Sequence, residues 1–234
     1  MRALHRFCGA ALGFIANIAQ AQVTGQVSLL SDYRFRGESL SDEQPALQAG
    51  INYDHSSGLF IGALASNVRV GLGTTGLGAQ FYGGYAHALG KRASWDVGLV
   101  TYVYPSSQRA TEYNYTEAFV GAATDELSAR VYYADDYFGA GARAAYVEGN
   151  LSHPLNERVA LIAHIGYLNI GRVTAYPTSA QRSDQLDFKA GVGIGVAGFN
   201  LELSVVGTDA PRDRCVVGTV RCGTAGLVSL SRTF

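Results

Sequence analysis

The chain closes on Gly226-Leu227-Val228-Ser229-Leu230-Ser231-Arg232-Thr233-Phe234, and this stretch decides how the rest is read. Its apolar and small polar residues alternate, which places one set of side chains on each face of a strand. Chain ends are ordinarily frayed and polar. A terminal aromatic has a reason to exist where a strand ends at a membrane interface, because aromatic residues form the girdles of transmembrane β-barrels. Val228, Leu230 and Phe234 therefore read as an assembly signal on the last strand of such a barrel, recognised by the barrel-assembly machinery of the outer membrane.

The other end agrees. Met1 to Ala21 has a basic start (Arg2, His5, Arg6), an apolar stretch from Phe7 to Ile18 and the small-residue ending Ala19-Gln20-Ala21. This is the pattern of a cleaved secretory signal, and its apolar stretch is too short for a membrane-spanning helix. Cleavage is expected after Ala21, leaving 22–234 as a single barrel domain. Cys8 precedes the apolar core instead of following it, so it is no lipoprotein cysteine.

Composition narrows the class. Removing the leader takes Arg2 and Arg6 from the 18 basic residues and none of the 19 acidic ones, a net charge of −3 that offers no basic face for nucleic acid. Charged residues are 16% of the chain, below the ~25% of an ordinary soluble domain. Beyond the leader no apolar run approaches the ~20 residues of a transmembrane helix. A moderately apolar chain without such a run fits a barrel that hides its hydrophobicity in alternation.

Alternation recurs twelve times and predicts strands near 23–35, 46–55, 59–67, 78–88, 93–104, 113–122, 127–134, 142–152, 157–168, 185–195, 199–207 and 224–234. The connections are more telling. Short turns (54–58, 89–92, 124–126, 152–156, 197–198) alternate with longer polar segments (36–45, 68–77, 105–112, 135–141, 171–184, 208–223), the asymmetry of periplasmic turns and extracellular loops. A chain that starts and ends in the periplasm has its odd connections outside, and those are the long ones. All five prolines fall in connections on this partition, as strands require. The expected fold is all-β, an antiparallel up-and-down barrel of about 12 strands. A soluble sandwich or lipocalin-like barrel also alternates, but seldom keeps a strict short-long rhythm.

Parity then assigns faces. With Val27, Leu29, Tyr33 and Phe35 toward lipid, Asp32, Arg34 and Arg36 point inward near the outer mouth. By the same rule Glu117, Arg130, Glu148, Asp187, Lys189 and Glu202 line the lumen. Charge on the lipid face costs about 2–4 kcal/mol for Arg or Lys at the midplane, which enforces the assignment. Two readings of this lining stay open. Either it is a pore of mixed sign that selects small polar solutes, or it is a set of internal ion pairs filling a closed lumen. Eight strands are filled by side chains and sixteen leave a channel; twelve lies between. Cys215 and Cys222, in R-C-V-V-G-T-V-R-C, are expected to form a disulfide in an oxidising compartment, worth about 2–3 kcal/mol on the chain-entropy model. A metal site there lacks His or a second Cys pair, and a redox dithiol lacks C-x-x-C spacing.

The segment Ser31–Gly62, S-D-Y-R-F-R-G-E-S-L-S-D-E-Q-P-A-L-Q-A-G-I-N-Y-D-H-S-S-G-L-F-I-G, resembles the signature of the TorF-type porins. Further echoes are A-S-N-V at 65–68, T-Y-V-Y-P at 101–105, N-Y-T-E at 114–117 and the final phenylalanine. The resemblance implies an outer-membrane barrel and passive transport, with no catalytic residue and no cofactor. A non-conducting receptor or adhesin is the alternative. A lipid hydrolase would need His and Ser in hydrogen-bond reach at the membrane interface. The candidates are His55, His87, His153 and His164, but no G-x-S-x-G occurs. G-L-G-T-T-G at Gly71–Gly76 lacks the Lys-Ser/Thr of a phosphate loop. The expectation is a channel for small polar solutes in outer-membrane lipid.

Overall fold

The computed structural model describes residues 21–69, 75–105, 113–171, 184–210, 215 and 221–234. The predicted leader up to Gln20, most of the Gly71–Gly76 run, Pro177 and Pro211 lie outside these residues. In chain order the strands are β1 (Gln22–Leu30), β2 (Arg34–Phe35), β3 (Glu38–Ser39), β4 (Ala46–Asp54), β5 (Leu59–Val68), β6 (Gly76–Leu89), β7 (Ala93–Val103), β8 (Tyr115–Thr124), β9 (Leu127–Ala134), β10 (Ala144–Pro154), β11 (Val159–Ile170), β12 (Asp184–Val196), β13 (Phe199–Thr208) and β14 (Ala225–Thr233). Twelve of them, all but β2 and β3, pair antiparallel into one closed barrel. β1 closes it against β14 with Leu29 opposite Leu230, and Phe234 exchanges both backbone hydrogen bonds with Gly25 at 2.9 and 3.3 Å. Closure leaves no strand edge unpaired, the condition for crossing a membrane with strands.

The register fixes which face each residue takes. Leu29, Leu47, Ile51, Ile61, Leu99, Val120, Val131, Ile165, Leu203 and Val228 point outward and are exposed. Among the described strand residues only two outward positions carry charge, Asp184 at the start of β12 and Arg232 near the end of β14. The Arg232 guanidinium lies over the rings of Phe199 (5.3 Å) and Phe234 (5.6 Å). A long side chain can thus lay its stem on apolar surface while its charge reaches the interface. Thr101 and Thr116 satisfy each other across the outer face at 2.9 Å. Aromatic residues gather at the short-turn end, with Tyr53 beside His55 and Tyr85 5.8 Å from Trp95, while Tyr133 and Tyr167 sit toward the long-loop end.

Two expectations are corrected. The first strand ends at Leu30, five residues short of the predicted 35, and the chain then turns into the barrel. Tyr33 and Phe35 accordingly do not face lipid: Tyr33 is 7% exposed and Phe35 packs against the interior cluster. The alternation through Asp32-Tyr33-Arg34-Phe35-Arg36 is real, but it belongs to a hairpin buried on both faces. The second correction is Pro154, which is the last residue of β10, opposite Ala160, and not in a turn. A proline is tolerated at a strand end, where the ladder is about to stop.

Candidate functional site

The interior of the barrel is divided into two arcs. The large aromatic residues of the inner wall lie on one arc, β5–β10: Phe60, Tyr82, Tyr102, Tyr115, Phe119, Tyr132 and Tyr146. Tyr102 stacks on Tyr115 with centroids 4.5 Å apart. Room for Tyr146 comes from Gly166 on the neighbouring strand, where a Cβ would lie 2.6 Å from the tyrosine Cζ and 2.5 Å from Asp187 Oδ2. The opposite arc, on β12–β14, β1 and β4, is small and polar: Gly191, Ser204, Ser229, Ser28, Gln48 and Asn52.

Across the long-loop half of this interior lies the β2–β3 hairpin. Phe35 pairs with Glu38, and the two residues between them both have positive φ, Arg36 at 50° and Gly37 at 76°. Two successive left-handed residues are the geometry of the tight hairpin turn that suits strand twist. Gly37 is also required sterically. A Cβ there would collide with the Thr208 methyl, lie 2.8 Å from the Gly207 carbonyl oxygen and sit 2.9 Å from Asp187 Cβ. The base of the hairpin is organised by Asp32, which accepts from Arg34 Nε at 2.6 Å and from the hydroxyls of Ser39 and Ser41. Arg34 also donates to the carbonyls of Gly37 (3.0 Å) and Gly223 (3.2 Å).

Arg36, at the tip, reaches the far wall. Its Nη2 meets Glu117 Oε2 at 2.6 Å, with both side chains almost wholly buried (4% and 1% exposed). Tyr102 OH donates to the same carboxylate oxygen at 3.2 Å. The guanidinium lies over Tyr146 at 4.1 Å, Phe35 at 4.9 Å, Tyr137 at 5.3 Å and Tyr132 at 5.4 Å. Burial alone would lower the Arg36 pKa, but Glu117 and the surrounding tyrosines lift it well above the ordinary arginine value, so the tip stays charged. Gln185 Nε2 donates to the Arg36 carbonyl at 3.0 Å from the β12 side. The hairpin thus bridges the lumen from β12–β13 to β8–β10.

The remaining inward charges form a second tier. Arg130 Nη2 pairs with Asp96 at 2.7 Å. Glu148 stands opposite Arg130 in the β9–β10 ladder and accepts from Tyr132 OH at 3.3 Å. Asp187 lies 2.7 Å from His164 Nε2 and 3.1 Å from Tyr146 OH, and His164 Nδ1 meets Asn150 Oδ1 at 2.7 Å. Lys189 and Glu202 pair at 3.1 Å, both partly open to the lumen. All nine sequence-predicted lumen charges are therefore placed inside the barrel, in two clusters of different character. The hairpin group (Asp32, Arg34, Arg36, Glu117) gathers about the hairpin, and the wall group (Arg130, Glu148, Asp187, Lys189, Glu202) lines the strands around it, with Arg130 and Asp187 as buried as the hairpin charges.

Sequence reasoning passed over Asp96. Its signal was present, a lone acid between outward Trp95 and Val97. It also passed over the tyrosines as partners of the charges, for which the sequence carries no comparable signal. Cys215 and Cys222 are joined, Cα–Cα 5.5 Å, and pack with Ala210 at the long-loop end. That loop touches the hairpin: Ser39 N donates to the Arg221 carbonyl at 2.7 Å, and Arg221 Nε pairs with Asp42 at 2.8 Å. Val228 and Leu230 face outward and Phe234 is 68% exposed at the closing seam.

The histidines are dispersed. His55 bonds Ser57 within its own turn at 2.8 Å, and His153 pairs with Glu126 at 2.8 Å. His87 faces outward, and His164 faces the lumen. No cluster of three or more potential metal ligands occurs among the described residues. An apolar depression of about 840 Å³, lined by Tyr53, Leu59, Ile61, Tyr85 and Leu99 among others, lies on the outer surface and not in the lumen.

The chain belongs to the Gcw_chp family, described as bacterial proteins of unknown function, whose profile matches residues 17–234. No curated protein matches the sequence. Solved structures with a similar fold include the NanC porin (TM-score 0.55, 11% identity, 91% of this chain and 98% of that one). The KdgM porin, solved also in complex with disordered oligogalacturonate, is similar at TM-score 0.55 and 11% identity in that complex, with 91% and 98% covered. An outer membrane channel from Pseudomonas putida F1 is similar at TM-score 0.52 and 13% identity over 98% of this chain and 100% of that one. At such identities the likeness is one of fold alone, that of a closed antiparallel barrel.

Proposed function

We propose that this member of the Gcw_chp family is an outer-membrane channel through which small polar solutes diffuse passively, and that the β2–β3 hairpin forms its constriction. The observation that carries the reading is the division of the interior. One arc of the wall carries small polar groups, and the obstruction is not the wall itself but a separate hairpin, docked through the Arg36–Glu117 pair, the Gln185 hydrogen bond and the packing of Phe35 and the Arg36 guanidinium on aromatic rings. A barrel that served only as a scaffold would gain more from filling its centre with packed apolar side chains than from placing an Arg–Glu pair there, since replacing a buried pair by well-packed apolar residues is often neutral or stabilising. The resemblance to TorF-type porins, the leader expected to be cleaved after Ala21 and the porin-like fold all support export to the outer membrane, with assembly by the barrel machinery through Val228, Leu230 and Phe234. The oligogalacturonate complex of KdgM supports a solute path through a barrel of this architecture; passage of solute is all that is carried over to this chain.

Planar-bilayer recording of the refolded protein tests the reading. Discrete conductance steps are expected, larger in a variant whose hairpin cannot dock (Gly37→Ala). Silence from both proteins, each shown to be folded, would refute the channel and leave a receptor or structural barrel.

A further inference from the structure

We infer that the lumen selects cations and neutral polar solutes over anions, an inference that rests on the channel reading above. Among the described strand residues, the inward positions carry six carboxylates (Asp54, Asp96, Glu117, Glu148, Asp187, Glu202) and two permanent cations (Arg130, Lys189). The hairpin adds two of each sign, Asp32 and Glu38 against Arg36 and Arg34, whose side chain is 3% exposed. The described interior therefore holds four more carboxylates than arginines and lysines.

The pairing shows where the excess sits. Arg36 is committed to Glu117, Arg34 to Asp32 and Lys189 to Glu202. Arg130 touches Asp96 and stands opposite Glu148, so one cation serves two carboxylates. Glu148 is only partly buried, in mid-barrel, and its hydrogen bond comes from the neutral Tyr132 hydroxyl. Asp187 is bonded by His164 and Tyr146. Asp54, partly buried, lies at the short-turn end of β4. A solute that passes the hairpin meets Glu148 and Asp54 as net charge and the arginines as neutralised pairs. A low-dielectric wall focuses such a field along the axis. A unit negative charge about 8 Å from the ion path favours a monovalent cation over an anion roughly sixfold at the dielectric of water, before salt screening. Acidic oligosaccharides are the solutes this lining serves least.

The test is the reversal potential of the refolded protein in a planar bilayer under a KCl gradient at low ionic strength, with Glu148→Gln and Asp54→Asn alongside. The sign expected is that of potassium permeating roughly three- to sixfold faster than chloride, with each variant lowering the ratio. A conducting protein with a ratio of one or below, or a cation preference that survives both substitutions together, would overturn the inference while leaving the channel intact. A protein that conducts nothing, even with Gly37→Ala, would overturn both.

Discussion

Glu117→Gln isolates the interaction that holds the hairpin tip. Glutamine keeps the size of the side chain and an acceptor for the Tyr102 hydroxyl, so the β8 wall is left as it is. The change is electrostatic: Arg36, 4% exposed, loses the carboxylate 2.6 Å away. Removing one partner of a buried pair costs about 3–5 kcal/mol, because the other charge stays buried without compensation. The rings of Tyr146, Phe35, Tyr137 and Tyr132 soften the loss without replacing it, at up to ~2 kcal/mol for a desolvated cation–ring contact. The barrel ladder does not depend on the pair, so the cost falls on hairpin docking. At 1.4 kcal/mol per tenfold, the docked population should fall relative to the undocked by roughly two to three and a half orders of magnitude. Amide hydrogen exchange over residues 34–39 should accelerate accordingly, while the strand amides of β8 and β10 stay protected and the protein keeps the gel mobility of a folded barrel. Mean conductance should rise with it. Exchange and conductance indistinguishable from the parent would refute the idea that the ion pair clamps the hairpin.

Three further outcomes follow from the same geometry. Leu203→Arg puts a cation on the outer face of β13 and should lower stability by about 2–4 kcal/mol in urea titrations in lipid vesicles; a loss under ~1 kcal/mol would contradict an outward Leu203 at membrane depth. Cys222→Ser opens the loop whose Arg221 and Gly223 hold the hairpin, losing about 2–3 kcal/mol of loop restraint; hairpin amides should then exchange faster, and unaltered exchange would show that the loop is no latch. Tyr33, in the segment leading to the hairpin, has its hydroxyl pKa pushed up to about 12 by burial, with the Gln80 amide donor acting the other way. The neutral form is the one the fold favours, so its contribution is fully present below pH 10, the ordinary tyrosine value, and is lost as pH rises through about 12; hairpin exchange should quicken across that window in the parent and less so in Tyr33→Phe.

Much of this was legible in the chain. The strand count and the inward direction of Glu117, Arg130, Glu148, Asp187, Lys189 and Glu202 follow from period two, which is a property of a strand wherever it is placed, and the rhythm of short and long connections follows from segment length and polarity. The hairpin was not legible. Asp32 to Arg36 alternates as cleanly as the strand before it, and alternation is silent about whether both faces are about to be buried. What ends β1 at Leu30 is the meeting of Asp32 with Ser39 and Ser41, and of Arg36 with Glu117, eighty-one positions away in sequence.

Residue order alone carries the closed barrel and the inward side of most strand charges, because the outward faces of the described strands hold almost none and alternation leaves one other face for them. Phe234 pairs with Gly25 at the seam where β1 and β14 close the barrel. What those charges do is set by how the closed barrel brings them together. Which acid neutralises which base, and which is left over, depends on distances of a few ångströms across a closed cylinder. Coulomb energies in a low-dielectric interior vary too steeply with those distances for residue order to disclose them.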